Sequence, residues 1–250
     1  LLKNKESLNF DGVLKDLLTF NGIMILTIVF IGQFLNWWLE SLKFRALISK
    51  TEPINKWDAV KSVYAGNAIG VLTPNKIGTV IGRALWLKDK DTVSVVSSTM
   101  LGNAGQLTTT ALFGSVGFLI IVCFGTQLNF INQEFPTYAL LISLLLVLLL
   151  GLLFFYPSFL YKLSLKLPFI RRFAQRISYF KYFRKKELLT VLSFSVLRYI
   201  VFGFQFILLL KLLHVSITIL SLFTFICVLY MIVTFIPSPF MGNLGTREAV

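Results

Sequence analysis

Long stretches of this sequence are apolar and nearly free of charge, and they constrain the fold more than any other feature. Residues 17–39 contain no charged residue, and residues 136–156 are dominated by leucine. A transmembrane helix needs about 20 mostly apolar residues, because each residue adds about 1.5 Å and the hydrocarbon core is about 30 Å thick. We therefore predict an all-α, polytopic membrane bundle with about five spans, at 17–39, 104–125, 136–156, 188–210 and 215–236.

The composition supports the same class. Hydrophobic residues make up 56% of the 250 residues and charged residues only 14%, whereas soluble domains carry about 25% charged residues. This excludes a soluble domain, a disordered tail and a disulfide scaffold. The net charge of +13 is concentrated in loops, where positive charge sets orientation and contacts anionic lipid. We expect membrane lipids with anionic headgroups as partners, no nucleic acid, and an oligomeric state that the sequence leaves open.

The distribution of Lys and Arg predicts the orientation. Residues 157–187 contain nine basic residues, interleaved with apolar ones at helical spacing. They are predicted to form a basic amphipathic segment on the cytoplasmic surface. Residues 1–16 are expected to lie externally, at the interface. The chain is interpreted as a single transmembrane domain over 1–250, truncated at both ends, because its last residues stop in mid-pattern.

Two segments are apolar but interrupted. Residues 58–87 are broken at Pro74 and Gly78, between basic flanks, which predicts a re-entrant hairpin. Residues 237–250 are rich in Pro and Gly and are predicted to start a second re-entrant segment. Irregular backbone at membrane depth is tolerated only inside protein or beside water, and interrupted helices mark substrate sites in transporters.

The break in the hairpin lies between two basic residues, Lys76 and Arg83. Together with free helix-end N–H groups they could bind an anion; alternatively they are ordinary interfacial positive charges. The pair Arg247–Glu248 likewise has two interpretations. It could form a gate or contact a headgroup, or it could be a surface ion pair that contributes little to stability.

Arg198 interrupts the span at 188–210. A charge at the centre of a span costs about 2.5–3.5 kcal/mol on insertion scales. Arg198 is therefore expected either to contact an anionic headgroup or a charge partner inside the bundle, or to extend to the cytoplasmic interface. Glu40 follows the Trp37–Trp38 pair and is predicted to be an interfacial residue near a helix end.

Three motifs resemble the lysylphosphatidylglycerol synthetase transmembrane-region family, whose members are also described as flippase-like. They are Trp38–Ile48, Gly66–Gly78 leading to Arg83, and Pro237–Glu248, in the family's order. The resemblance implies a helical bundle with re-entrant segments that moves aminoacylated phospholipid across the bacterial membrane. Thr79 stands where the family often has an acidic residue. The synthetase's soluble domain has no counterpart here, so lipid aminoacylation is not expected.

The motif match and the charged residues together give a candidate headgroup site. Its members are Asn67, Pro74, Lys76, Gly78, Arg83, Arg198, Gly245, Arg247 and Glu248. No catalytic residue, metal site or cofactor is predicted, since the chain has one His and no recognisable catalytic motif.

The functional hypothesis is a flippase-like protein that moves anionic or aminoacylated phospholipid or glycolipid across the bacterial cytoplasmic membrane. One alternative is a membrane transferase acting on a polyprenyl-linked substrate, which would need an acidic catalytic residue near the membrane face. Another is a non-transporting partner subunit, attached to its partner through residues 157–187.

Overall fold

The computed structural model describes residues 15–73, 77–124, 134–156, 179, 183–213, 215 and 217–235. The described residues form seven helices and no strand, so the all-α prediction is confirmed. The helices are α1 (Phe20–Ile48), α2 (Lys56–Val71), α3 (Gly78–Trp86), α4 (Thr92–Phe124), α5 (Glu134–Phe155), α6 (Lys185–Leu212) and α7 (Ile219–Phe235).

Four of these helices, α1, α4, α5 and α6, are long and apolar enough to cross a membrane. Helix α7 is also apolar but has only 17 residues. Large apolar side chains are exposed along the outer faces of α1 and α5, for example Phe30 and Leu145. Such a surface is expected for helices that face lipid rather than water. The helical membrane bundle is confirmed, with four long spans where about five were predicted.

Helix α4 occupies the centre of the bundle and contacts α1, α3, α5, α6 and α7. It begins at Thr92, well before the predicted start of the span at residue 104. Its many hydroxyl groups bond back to their own helix: Thr99 Oγ1 donates to the Val95 carbonyl at 2.8 Å and Thr109 Oγ1 to the Gly105 carbonyl at 2.9 Å. Because these donors are satisfied locally, a sequence that looks polar forms a buried helix surface.

Helices α2 and α3 form a tightly packed hairpin. A Cβ atom at Gly82 would lie 2.5 Å from the Ala65 carbonyl oxygen and 2.7 Å from Gly66 Cα. Glycine is required here because the two backbones touch. Gly78 begins α3, and its N–H donates to Thr73 Oγ1 at 2.7 Å, which closes the hairpin. The predicted hairpin at 58–87 is therefore a pair of helices in direct contact.

The other end of α4 packs against α5 and α7 through apolar and small residues. Phe118, Ile121 and Met231 form a buried cluster there. Gly114 faces the Met231 side chain, and Gly117 faces Cys227.

Several predicted segments lie outside the described residues. They include all but the last two residues of 1–16, most of 157–187, and all of 237–250. The predictions for these segments stay predictions.

Candidate functional site

Glu40 is the centre of a buried charge cluster. Its side chain is only 4% exposed, and α1 continues for eight residues beyond it, so the prediction of a helix-end position was wrong. Lys43 Nζ lies 2.8 Å from Glu40 Oε2, and Arg83 Nη2 lies 2.8 Å from Oε1. Arg198 Nη1 also donates to Oε2. One carboxylate thus joins cations from α1, α3 and α6.

Local geometry explains how Lys43 and Arg83 reach Glu40. Lys43 follows Glu40 by three residues, so both side chains lie on one face of α1. Its ammonium also donates to the Gly102 carbonyl of α4 at 3.1 Å. Arg83 crosses from α3, with its guanidinium carbon 4.8 Å from the Phe44 ring centroid. Gly66 leaves room for this path, because a Cβ atom there would lie 2.9 Å from Arg83 Cγ.

Arg198 is held inside the bundle by several partners. Its Nε donates to Asn36 Oδ1 at 2.9 Å, and its Nη1 donates to Gln106 Oε1 at 3.3 Å. Asn36 Nδ2 in turn donates to the Arg198 carbonyl at 3.3 Å. Arg198 is therefore a charge partner within the bundle rather than a side chain that extends to the interface. Its side chain is still 21% exposed, the most accessible member of the ion-paired group.

The cluster has more positive charge and more donors than its acceptors can satisfy. Within the described part of the chain, three cations, Lys43, Arg83 and Arg198, face the single carboxylate of Glu40, which leaves two formal positive charges there. Arg83 is 3% exposed, yet its Nε has no acceptor among the described residues. Buried charge is costly unless it is paired and hydrogen-bonded. An anion with several acceptor oxygens, such as a phosphate, would complete this arrangement.

An open, apolar groove lies along α1, beginning about two turns from Glu40, with one lining residue from α6. Its volume is about 620 Å³, and it is lined by Ile23, Leu26, Thr27, Val29, Phe30, Gln33 and Gln205. Gln205 lies two turns beyond Arg198 on α6, and its Nε2 donates to the Val29 carbonyl at 2.7 Å. The groove therefore follows the same α1–α6 contact that holds Arg198. Its shape and lining suit a hydrocarbon chain.

The structure brings together two of the predicted site residues, Arg83 and Arg198, on Glu40. Asn67 is half-buried on α2 and is not part of the cluster. Gly78 has a packing role at the start of α3. The remaining predicted members lie outside the described residues: Pro74, Lys76, Gly245, Arg247 and Glu248.

The sequence reasoning did not assign Glu40 and Lys43 to the site. A usable signal was present, because Asn36, Glu40 and Lys43 recur at four- and three-residue steps. That spacing puts three polar residues on one face of an otherwise apolar helix. Gln106, the partner of Arg198 on α4, had no comparable signal.

Residues 6–250 match the family model described as the lysylphosphatidylglycerol synthase TM region. The chain belongs to this family. The match confirms the resemblance seen in the three sequence motifs, and it covers nearly the whole chain. No curated protein and no solved structure matches it. With its four long apolar helices, this member of the family is an integral membrane protein with a lipid-related function.

Proposed function

We propose that the protein translocates a phospholipid or glycolipid, with an anionic or aminoacylated headgroup, across the bacterial cytoplasmic membrane. One observation carries the proposal: Arg83 from the hairpin and Arg198 from a long apolar helix converge on Glu40 inside the bundle. Charged residues at such positions are expensive and commonly mark substrate paths in membrane proteins.

The way the cations are held suggests how a headgroup would bind. A phosphate group, like a carboxylate, binds arginine through charge-assisted and often bidentate hydrogen bonds, so it would compete with Glu40 for Arg83 and Arg198. Because these arginines belong to α3 and α6, the exchange would loosen the contact of both helices with α1. Headgroup binding would then be coupled to a movement of the helices, as translocation requires.

The groove along α1 supports a lipid rather than a water-soluble anion. Its lining is almost entirely apolar, and it lies within two turns of Arg198. A phospholipid needs both a place for its phosphate and a surface for its chains. The Glu40 cluster and the groove would supply both on one pair of helices.

The transferase alternative gains no support from Glu40, Asp91 or Glu187, which leaves Asp58, Asp89 and Glu248 as its candidate acids. It requires an available carboxyl group, but Glu40 is held by three cations. Asp91 accepts hydrogen bonds from Ser94, and Glu187 is paired with Lys50.

Transport of fluorescent phosphatidylglycerol and fluorescent lysylphosphatidylglycerol in proteoliposomes tests the proposal. The full chain should accelerate flipping of at least one of them, and Arg198→Gln should abolish most of the acceleration because it removes the accessible cation. Lys90→Gln is the matched control: it removes the same charge from an exposed pair with Glu52 and should flip lipid like the unchanged protein.

Two results would contradict the proposal, the first its activity and the second its site. One is a flipping rate equal to that of protein-free vesicles for both lipids. The other is equal flipping by Arg198→Gln and the unchanged protein, which would remove the cluster from the transport path.

A further inference from the structure

Two side-chain amides join helices α1 and α6. Asn36 Nδ2 of α1 donates to the Arg198 carbonyl at 3.3 Å, and Gln205 Nε2 of α6 donates to the Val29 carbonyl at 2.7 Å. The contact positions are seven residues apart on each helix and in reversed order, so the helices are antiparallel and the two contacts lie about 10 Å apart. Both amide side chains are buried. Hydrogen bonds of this kind hold membrane helices together.

The oxygen atoms of the two amides have different surroundings. Asn36 Oδ1 accepts a hydrogen bond from Arg198 Nε at 2.9 Å, so a single side chain binds both the main chain and the guanidinium of Arg198. Only one orientation of the Asn36 amide fits, because Nε can only donate and a carbonyl oxygen can only accept. Gln205 Oε1 has no hydrogen-bond partner within the described part of the chain. Gln205 therefore joins the two helices without contacting a charge, and helix packing alone does not explain the second contact of Asn36.

We infer that Asn36 is a positioning residue, which holds the Arg198 guanidinium in the orientation in which it binds the phosphate of a lipid headgroup. The inference rests on the proposed function, because it takes Arg198 as a headgroup contact. Asn36 accepts from Nε, while Glu40 and Gln106 accept from Nη1, so the plane of the guanidinium is fixed along two of its edges. An arginine side chain has many rotamers, and fixing it before the ligand arrives lowers the entropy lost on binding.

Lipid binding to the full chain, measured by native mass spectrometry from detergent, tests the inference. The probes are phosphatidylglycerol, lysylphosphatidylglycerol and diacylglycerol with the same acyl chains. Asn36→Leu should weaken the binding of both phospholipids about fivefold, a difference of about 1 kcal/mol, because both carry the phosphate that Arg198 contacts. The binding of diacylglycerol, which has no phosphate, should not change. Equal weakening of all three lipids would overturn the inference.

Gln205→Leu is the matched comparison, since it removes an amide and one hydrogen bond from the same pair of helices. Both variants should lower the unfolding temperature in detergent. Gln205 lines the apolar groove, so its replacement should change the binding of phospholipids and diacylglycerol by the same factor. A loss specific to phospholipids in Gln205→Leu, as large as that in Asn36→Leu, would mean that any weakening of the α1–α6 contact has this effect and would overturn the positioning role.

A positioning residue acts only through the residue that it positions, and a double-variant cycle measures this. In an Arg198→Gln chain, Asn36→Leu should cause no further loss of phospholipid binding. Losses that multiply in the double variant would show that Asn36 acts on the lipid by another route. If the leucine variant does not fold, Asn36→Ser takes its place in the same cycle, because it keeps a polar group that is too short for both contacts.

Two further measurements separate this inference from its neighbours. Inorganic phosphate should displace phosphatidylglycerol only at concentrations far above that of the lipid, since it cannot use the apolar groove; displacement at equal concentration would assign Arg198 to a soluble anion and overturn the headgroup assignment. Flipping is measured separately in proteoliposomes. A phospholipid-specific loss in Asn36→Leu, on a chain that does not flip lipid, would refute translocation and leave the positioning role intact. Flipping by the unchanged chain, with unaltered phospholipid binding in Asn36→Leu, would do the reverse.

Discussion

The two halves of α4 differ in what they contact besides apolar neighbours. In the first half Val95 and Leu101 belong to apolar clusters, but the backbone also accepts a hydrogen bond from Lys43, and Gln106 contacts Arg198 beside the Glu40 cluster. In the second half Gly114 and Gly117 receive side chains of α7, in a cluster of apolar residues. Helix α4 therefore connects the Glu40 cluster to a region packed through apolar van der Waals contacts.

Helix packing in this protein does not require buried charges. The second half of α4 buries its residues with small side chains and van der Waals contact, as membrane helices generally do. A buried group of ions is weak evidence for stability, because desolvation offsets much of the attraction. Two positive charges of the Glu40 cluster have no counter-charge among the described residues, which fits the proposed headgroup binding better than a purely structural role.

Removal of the Glu40 carboxylate should have the largest effect on the stability of the protein. We expect Glu40→Gln to destabilise the protein by about 3–5 kcal/mol, because three buried cations would lose their counter-charge. Thermal unfolding of the purified chain in detergent measures this. Glu52→Gln is the control, since its 3.6 Å pair with Lys90 is partly exposed and should cost less than about 1 kcal/mol. Equal effects of the two changes would mean that Glu40 is not the centre of the cluster.

A methyl group at Gly82 should separate the hairpin helices. The expected cost is about 1–3 kcal/mol, because the new Cβ would meet backbone atoms of α2 that cannot rotate away. Gly203→Ala provides the comparison, since a Cβ there has nothing within 4 Å. It should be neutral or slightly stabilising in the same unfolding measurement. A neutral Gly82→Ala would show that the two helices separate without penalty.

Gly114→Ala should disturb the packing of α4 against α7 without changing the Glu40 cluster. A Cβ atom there would lie 2.3 Å from Met231 Sδ, but methionine is flexible and can move. We expect a loss of about 1 kcal/mol, near the lower limit for overpacking, and recovery in the double variant with Met231→Ala. Lipid flipping should be unchanged, and a changed flipping rate would mean that the two halves of α4 are coupled.

The smallest expected effect is at the beginning of α4. Asp91 accepts hydrogen bonds from the Val93 and Ser94 N–H groups, and the loss of such a cap in Asp91→Ala costs about 1 kcal/mol. Slight burial opposes ionisation, but the hydrogen bonds from Ser94 and Val93 outweigh it and lower the pKa of Asp91.

The lowered pKa gives this cap a defined pH dependence. Its contribution is present above the unfolded pKa of about 3.9 and is lost as the pH falls through the lower folded value. Unfolding temperatures measured from pH 7 to pH 3 should therefore fall less in Asp91→Ala than in the unchanged chain. Parallel curves for the two proteins would contradict the role of Asp91 as a cap.

The sequence predicted the fold better than the site, for physical reasons. Apolar stretches long enough to span are a local property, so helices α1, α5 and α6 were placed correctly in outline. Helix α4 begins at Thr92, before the span predicted from residue 104. Hydropathy treats Thr99 and similar residues as exposed to water, although their hydroxyls bond to the helix itself. Arg83 and Arg198 were recognised as unusual charges. Their common partner was not, because they are 43 and 158 residues from Glu40 and only the folded chain brings them together.

The position of Glu40 along α1 has a consequence for the distance that a headgroup must travel. Glu40 lies twenty residues after Phe20 and eight before Ile48, so about 30 Å of helix lies on one side and about 12 Å on the other. A headgroup that enters from the nearer end meets the cluster early, with most of the crossing still ahead. The next polar side chains on that longer route are Gln33 and Gln205, about 10 Å further along their helices. If the protein translocates lipid as proposed, the headgroup would pass from strong charge to neutral amides, and departure from the cluster would be the costly step.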